Sequence, residues 1–299
     1  MKFLVRTAFT AFLCTGSIWA QATSQITGIV HDPTGSSVPG ATVKVTQTDT
    51  GLTRTSATAA DGAYILPNLP IGPYRMEVTK EGFATFVQPG IILEVNTNPA
   101  ISPTLKVGAV NEQVTVEAEA LSVETHSTGV GQVISHQEVV DLPLNAREPT
   151  QLILLVGNAT TQGAVANDLN SNKNFPTVTI SVAGANANQS AFSLDGGTAT
   201  EPFNGLNQPL PFPDALQEFK VETSSVGAQT GQHAAASVTV ATRSGTNALH
   251  GVVFEYVRNY LFNARSAPAL VRDSLKQNQF GGTIGGPIIK NKLFYFVGE

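Results

Sequence analysis

Apolar and polar residues alternate along the C-terminal part of the chain. In the segment 250–259, Val252, Phe254 and Tyr256 fall on one face of an extended strand, and Glu255 falls on the other. The segment 277–286 alternates in the same way, and a polar turn and a third apolar stretch follow it. Two-residue alternation in segments of about ten residues is typical of membrane β-barrel strands whose apolar face meets lipid. We therefore expect residues 247–299 to form the first strands of a barrel.

A barrel in a membrane has to close. Unpaired strand edges leave backbone groups without hydrogen bonds in lipid, which costs several kcal/mol for each group. Two or three strands cannot close a barrel. We therefore expect the sequence to be the N-terminal portion of a larger protein, with an incomplete β-barrel at its end.

Short alternating segments also fill residues 23–107. Strict alternation runs over 41–48 and again over 73–80, and glycine, proline and Asp-Gly turns separate the segments at intervals of about ten residues. This spacing predicts a seven-stranded β-sandwich with two inner apolar faces. Residues 108–120 follow as a connector.

Residues 121–246 combine strand patterns with short helices. Ser135 is a suitable cap for a helix that ends before Pro143, and Pro149 is a suitable first residue of a second helix. Strand-like segments and loops rich in Asn, Gly and Pro make up the rest of this region. The mixture predicts an α+β domain within a chain that is mainly β.

The first 22 residues have the three parts of an export signal. Lys2 and Arg6 give a positive start, an apolar run too short to span a bilayer follows, and a small-x-small cleavage site ends at Ala22. Cleavage would remove Cys14, the single cysteine, so the mature chain could form no disulfide. The net charge of −5, without a basic cluster, predicts no nucleic-acid partner.

An ordered set of glycine, proline and aromatic residues runs through the predicted sandwich. Its members are Gly28-x-Val30, Asp32, Pro39-Gly40-Ala41-x-Val43, Asp61-Gly62-x-Tyr64, Leu69, Gly72-x-Tyr74 and Gly82-Phe83. In this order they resemble the carboxypeptidase regulatory-like domain family. The resemblance implies a transthyretin-like, carbohydrate-binding-like sandwich. It implies no peptidase chemistry, because the catalytic domain of that family is a separate unit.

A second ordered set of motifs continues to the end of the chain. Its members are Val140-x-Leu142-Pro143-Leu144-Asn145-x-Arg147, Gln151-Leu152, Leu194-Asp195-Gly196, Gln217-Glu218-Phe219-Lys220-Val221, Ser237-Val238-x-Val240, Thr242-Arg243-Ser244-Gly245-Thr246-Asn247, His250-Gly251, Phe254-Glu255-Tyr256-x-Arg258-Asn259 and Gln277-Asn278-Gln279-Phe280-Gly281-Gly282-x-x-Gly285-Gly286-Pro287. Together with the sandwich they resemble TonB-dependent outer-membrane receptors, most of all the Oar-like group. The resemblance implies that residues 121–246 are the plug of the barrel. It also implies gated uptake driven by a TonB-type periplasmic protein, and a location in the outer membrane.

One short segment of the connector resembles the energy-coupling box that such receptors present to TonB. It consists of Gln113, Val114, Thr115 and Val116. An exposed and flexible strand of this kind can add to the sheet edge of a partner. The same residues fit the last strand of the sandwich, or an ordinary linker, equally well.

Two loops, 157–176 and 198–213, are candidates for ligand recognition. Loops on a rigid scaffold often carry recognition, and amide side chains suit hydrogen bonds to sugars or peptides. The candidate residues are Asn167, Asn170, Asn172, Phe203, Asn204 and Asn207. We therefore expect a carbohydrate or peptide ligand, and solvated loops without any contact are the alternative.

The sequence predicts no catalytic, cofactor or metal site. The five histidines are scattered, and none forms the helical pair of a zinc hydrolase. The nucleophile motif Gly-x-Ser-x-Gly is missing, and the glycines of 281–286 lack the lysine of a phosphate loop. An uptake receptor is therefore the predicted function. A carbohydrate-binding-like module, or a structural or adhesive envelope protein without transport, is the alternative.

Overall fold

The structure is a computed structural model that describes residues 23–108, 113–115, 130–161, 179–224, 233, 235–265, 270–272 and 274–299. The predicted export signal, residues 1–22, lies outside the described residues. Over these ranges the chain is mainly β, as predicted, and its sheets are open. No helix within them has the length and apolar character that crossing a membrane requires.

Seven strands build the N-terminal sandwich. They are β1 (Thr23–Ile29), β2 (Thr42–Gln47), β3 (Thr53–Ala57), β4 (Ala63–Pro70), β5 (Gly72–Thr79), β6 (Thr85–Leu93) and β7 (Gln113–Thr115). Strands β1 and β4 pair with each other, and the other five form a sheet in the order β3-β2-β5-β6-β7. Between the sheets lies a core of apolar side chains that includes Ile26, Val43, Met76 and Leu105. Their alternation with polar residues confirms the predicted sandwich.

The segment 99–105 is extended but irregular, and it forms isolated bridges rather than a strand. It runs parallel to β1, where the amide of Thr27 donates to Pro99 O and the amide of Ile101 donates to Thr27 O. Its two prolines have no N–H group, so a regular ladder is interrupted. Gly28 is required at this contact, because a Cβ atom there would lie 1.8 Å from Ile101 O.

The central part of the chain forms a mixed sheet with short helices on one face. Its elements in chain order are β8 (Val130–Ser135), α1 (His136–Asp141), the 3-10 helices Asn145–Arg147 and Pro149–Leu155, β9 (Ala159–Thr161), β10 (Ile180–Val182), the 3-10 helix Ala187–Gln189, β11 (Ser190–Leu194), β12 (Gly197–Thr198), the 3-10 helix Pro213–Ala215, β13 (Leu216–Ser224) and β14 (Ala236–Thr242). Five of the strands form the central sheet in the order β12-β11-β14-β13-β8, while β9 pairs with β10. Strands β11 and β14 are parallel, and the other pairs are antiparallel.

Capping residues start the helices where the sequence predicts. Ser135 Oγ accepts from the amide of Glu138, and the Glu138 carboxylate accepts from the amide of Ser135, so the two form a capping box. Pro149 is the first residue of the next helix, which is a 3-10 helix capped by Glu148. Both helices pack on the apolar face of the central sheet, where Val139 is fully buried.

Three antiparallel strands form the C-terminal sheet at the predicted position of the first barrel strands. They are β15 (His250–Asn259), β16 (Lys276–Ile289) and β17 (Leu293–Gly298), in that order. A short turn over 290–292 joins β16 to β17, with Asn291 at a φ of 62°. At Gly245, just before this sheet, the chain passes close to the backbone of β17, because a Cβ atom there would lie 2.3 Å from Tyr295 O.

Phe254 and Tyr256 share one face of β15, as predicted, but the expectation that this face meets lipid was wrong. Phe254 and Tyr256 face the central part of the chain, and Val253 and Val257 occupy the outer face, where they are 91% and 53% exposed. The positive charge of Arg147 explains why the aromatic face points this way. The guanidinium of Arg147 lies 4.7 Å from the ring centroid of Phe254 and 4.1 Å from that of Tyr256. An aromatic face attracts a cation, which lipid cannot supply.

Candidate functional site

The predicted coupling segment lies at the edge of the sandwich. Gln113, Val114 and Thr115 form β7, which pairs in parallel with residues 85–87 of β6. Val114 is half-buried and Thr115 is exposed, whereas Val116 lies outside the described residues. The structure therefore corresponds to the interpretation as a last sandwich strand, and a coupling role stays a prediction.

The loop over 198–213 exposes one predicted contact residue and buries another. Phe203 is 96% exposed, and Asn204 is exposed beside it. The Glu201 carboxylate accepts hydrogen bonds from the amides of Phe203 and Asn204 at 2.9 and 2.8 Å, which fixes the turn. Asn207 is only 5% exposed, and its Nδ2 donates to Thr150 Oγ1 at 3.1 Å. Contrary to the loop prediction, the Asn207 side chain anchors the loop.

The other predicted loop contacts, Asn167, Asn170 and Asn172, lie outside the described residues. Their contact with a ligand therefore stays a prediction. Within the part of the chain that the structure describes, no group of three or more His, Cys, Asp or Glu side chains is arranged to hold a metal ion.

Arg147 connects the central part of the chain to the C-terminal sheet. Its guanidinium pairs with the carboxylate of Asp214 and lies against the rings of Phe254 and Tyr256. The side chains of Arg147 and Asp214 are only 10% and 3% exposed. Removal of one partner would leave the other charge buried and unpaired, which strongly destabilises a protein.

Two residues of this junction have an unusual backbone conformation. Ala146 and Arg147 both have positive φ angles, 55° and 54°. Such angles cost non-glycine residues roughly 1–2 kcal/mol each, so the surrounding contacts have to hold them. Gln279 Nε2 of β16 donates to Ala146 O at 2.9 Å, and the ring of Phe212 lies 5.6 Å from that of Phe254. Arg147 belongs to a sequence motif, but its spacing did not predict these contacts.

A polar cluster joins the sandwich to the outer face of the central sheet. Glu218 Oε2 accepts from the amide of Val95 at 2.7 Å, and Lys220 Nζ donates to Asn96 O at 3.2 Å. Burial raises the pKa of Glu218 to about 7, and the nearby charge of Lys220 opposes the rise. The sequence does not indicate this cluster, since alternation along β13 shows only that Glu218 and Lys220 share the polar face.

The same junction has an apolar part. Val95 and Ala241 are buried against each other, with Ile71 packed beside them. Asn96 Nδ2 donates to Thr239 Oγ1 of β14 at 3.2 Å. The sandwich turn that contains Val95 and Asn96 therefore contacts two neighbouring strands of the central sheet.

A second, more exposed contact joins the sandwich to the C-terminal sheet. The amide of Asn247 donates to Asp49 O of the sandwich at 2.9 Å. Within the C-terminal part of the chain, Asn247 Nδ2 donates to Asn291 Oδ1 at 2.8 Å, and the amide of Asn291 donates to Asn247 Oδ1 at 2.9 Å. A Cβ atom on Gly51 would lie 3.4 Å from the Cβ of Asn291. Next to this contact lies a cleft of 530 Å³, and Arg243 is among the residues that line it.

Two protein families match parts of the chain. The carboxypeptidase regulatory-like domain matches residues 25–106, and the outer membrane beta barrel domain matches residues 241–299. Over 299 aligned residues the chain is 28% identical to the TonB-dependent transporter Oar of Myxococcus xanthus. The chain is similar to a TonB-dependent transporter. This match covers 96% of the chain but spans only 27% of the length of Oar.

Solved structures of outer-membrane receptors are also similar to the chain. The siderophore receptor PirA of Acinetobacter baumannii is 17% identical with a TM-score of 0.40, and the match covers 56% of this chain and 23% of PirA. The ferric enterobactin receptor PfeA of Pseudomonas aeruginosa is 14% identical with a TM-score of 0.39, and the match covers 55% of this chain and 23% of PfeA.

The predicted resemblance to Oar-like receptors with a carboxypeptidase regulatory-like domain is confirmed. The barrel-domain match and the similarity to Oar indicate a location in the outer membrane, as predicted. Oar is a transporter rather than an enzyme, which agrees with the prediction of no enzymatic activity.

Proposed function

We propose that the chain supplies the sandwich, plug and first barrel strands of a TonB-dependent outer-membrane receptor for a large ligand. In this proposal residues 23–107 are the sandwich, 108–120 the connector, 121–246 the plug and 247–299 the start of the barrel. The observation that carries the proposal is the junction at Arg147, where the central part packs on one face of the C-terminal sheet. A plug inside a barrel lumen needs such contacts to the barrel wall.

The direction of the C-terminal strands supports a periplasmic position for the sandwich. Outer-membrane barrels have short turns on the periplasmic side and longer loops outside. The turn over 290–292 is short, whereas the connection between β15 and β16 spans 260–275. Asp49 and Gly51 of the sandwich lie beside Asn247 and Asn291, at the short-turn end. A TonB-type protein in the periplasm would meet the sandwich side first.

For the ligand we propose a carbohydrate or a peptide. Phe203 offers an exposed ring that can stack on a sugar or an apolar side chain, and Asn204 offers an exposed amide next to it. The hydrogen bonds that the amides of Phe203 and Asn204 donate to Glu201 hold this loop tip in one conformation, which reduces the entropy lost on binding.

For energy coupling we propose the segment Gln113–Val116. Its described part is a three-residue edge strand with one neighbour, β6, so few hydrogen bonds oppose its transfer to a partner. Strand addition to a partner's sheet uses the same backbone groups.

The test is uptake by cells that make the full-length receptor, with fluorescent oligosaccharides, a fluorescent peptide digest and a ferric siderophore as separate probes. We expect uptake of a sugar or peptide probe that a protonophore abolishes, and that F203A reduces. The exposed-site variant E81A should take up the probe like the parent protein. A protein that fractionates away from outer membranes, or uptake insensitive to the protonophore for every probe, would contradict the proposal.

A further inference from the structure

We infer, on the basis of the proposed function, that the sandwich moves together with the plug during uptake and separates from the barrel at the contact between Gly51 and Asn291. The sandwich touches both the plug and the first barrel hairpin. A plug that moves relative to the barrel must therefore break one of these two contacts. Their chemistry decides which one breaks.

The contact between sandwich and plug is the stronger one. Val95 is fully buried against Ala241, and its amide is satisfied by the carboxylate of Glu218. Separation would expose apolar surface to water and break the hydrogen bond between the Glu218 carboxyl group and the Val95 amide.

Lys220 strengthens this contact. Its ammonium group donates to Asn96 O and pairs with the Glu222 carboxylate at 3.0 Å, and the Lys220 side chain is only 7% exposed. Because Asn96 also bonds to Thr239, the sandwich turn is attached to both β13 and β14. The sandwich turn is thus attached to two neighbouring strands of the plug, through partly buried polar groups.

The contact between sandwich and barrel is exposed and polar. It consists of the bond from Asn247 to Asp49 O and the approach of Gly51 to Asn291, and Asn291 lies in a solvated turn. Water can replace such hydrogen bonds at little net free energy. A pull on the plug therefore breaks this contact first, and the sandwich leaves the barrel mouth with the plug.

A disulfide between positions 51 and 291 would prevent this separation. The Cβ distance of 3.4 Å is close to the usual range of about 3.5–4.5 Å for disulfides. Both positions have positive φ angles, 74° at Gly51 and 62° at Asn291, so each substitution at a fixed backbone is somewhat strained. G82C is the matched control for G51C, because Gly82 has a φ of 85° and nothing within 4 Å of its Cβ position.

The experiment compares G51C/N291C with G82C/N291C in cells that make the full-length receptor, and it uses the probe that the parent protein takes up. We expect G51C/N291C to form an intramolecular disulfide and to bind the probe at the cell surface without taking it up. A reductant should restore uptake. The control variant should form no intramolecular disulfide and should take up the probe in oxidant and reductant alike.

Two outcomes would overturn the inference. Crosslinking of G51C/N291C no better than that of the control would show that the contact does not form. A fully crosslinked receptor that still takes up the probe would show that the sandwich need not leave the barrel. Failure of the proposed function looks different, because the parent protein would then lack protonophore-sensitive uptake, and the crosslinking yield would still test the contact.

Discussion

The carboxylate of Glu218 accepts a hydrogen bond from the backbone amide of Val95 at 2.7 Å, although 123 residues separate the two in sequence. Burial raises the pKa of Glu218 to about 7, the amide of Val95 lowers it, Glu94 raises it further and Lys220 lowers it. The junction between the sandwich and the central sheet therefore contains an acid whose pKa burial raises to near neutral pH.

Stability of this junction should depend on pH through Glu218. Its pKa is about 7 when folded and 4.5 when unfolded, so the folded protein binds the proton more tightly between these values. The free energy of unfolding should therefore fall as pH rises from about 4.5 to about 7, by about 3 kcal/mol at most. Denaturant unfolding of the chain in detergent at about pH 5 and about pH 8 measures the change.

The variant E218Q separates the titration from the hydrogen bond. The glutamine oxygen still accepts from the amide of Val95 but carries no charge, so E218Q should be more stable than the parent above pH 7 and should lose this pH dependence. E81Q, at an exposed position, is the control. Equal pH dependence in the parent and in E218Q would exclude Glu218 as its source.

Replacement of Arg147 should destabilise the central part of the chain. The variant R147M removes the cation from the rings of Phe254 and Tyr256 and takes the ion-pair partner from the buried Asp214. We expect a loss of about 3–5 kcal/mol in the free energy of unfolding. The double variant R147M/D214N should recover part of it, because no charge is then left unpaired. Additive effects of the two single substitutions in a double-mutant cycle would argue against a direct interaction.

The sandwich should not accept a side chain at position 28. In G28A the new methyl group would lie 1.8 Å from Ile101 O, so the backbone of the segment 99–105 has to move. We expect a loss of about 1–3 kcal/mol, which is typical of overpacking. G157A is the control, since a Cβ atom there meets nothing within 4 Å. Thermal unfolding monitored by circular dichroism compares the two variants.

Two substitutions in the loop over 198–213 should have different effects, one on stability and the other on uptake. N207A removes the hydrogen bond to Thr150 and should lower the free energy of unfolding by about 1–2 kcal/mol. F203A removes an exposed ring and should leave stability unchanged while it weakens uptake of the probe. If F203A took up every probe as well as the parent protein does, Phe203 would have no part in recognition.

Local sequence signals predicted much of this fold. The capping box of Ser135 and Glu138 lies within four residues, and the alternation of β2 is visible within six, so both can be read without knowledge of the tertiary structure. Motif order also identified the sandwich and the barrel start.

The direction of one strand face and the burial of two polar side chains depend on tertiary contacts, so the sequence alone did not predict them. Alternation assigned Phe254 and Tyr256 to one face of β15, but only the position of Arg147 decides which way that face points. The polar face of β13 was visible too, yet nothing near Glu218 in sequence indicates that the sandwich covers it. Asn207 lies in a loop of surface composition and is nevertheless buried, because Thr150 provides a partner from another element.

Close packing at Gly245 has a consequence for the permeability of the outer membrane. In the proposed receptor the chain crosses from the plug to the barrel wall at this residue, and in the structure its backbone lies against Tyr295 and Gly286. A side chain at position 245 would push the chain away from Tyr295 and Gly286. G245V should therefore make cells more sensitive to bulky antibiotics that the proposed receptor excludes, and growth inhibition assays would detect the change. In the proposed receptor, a residue without a side chain would thus help to keep the outer membrane closed to such compounds.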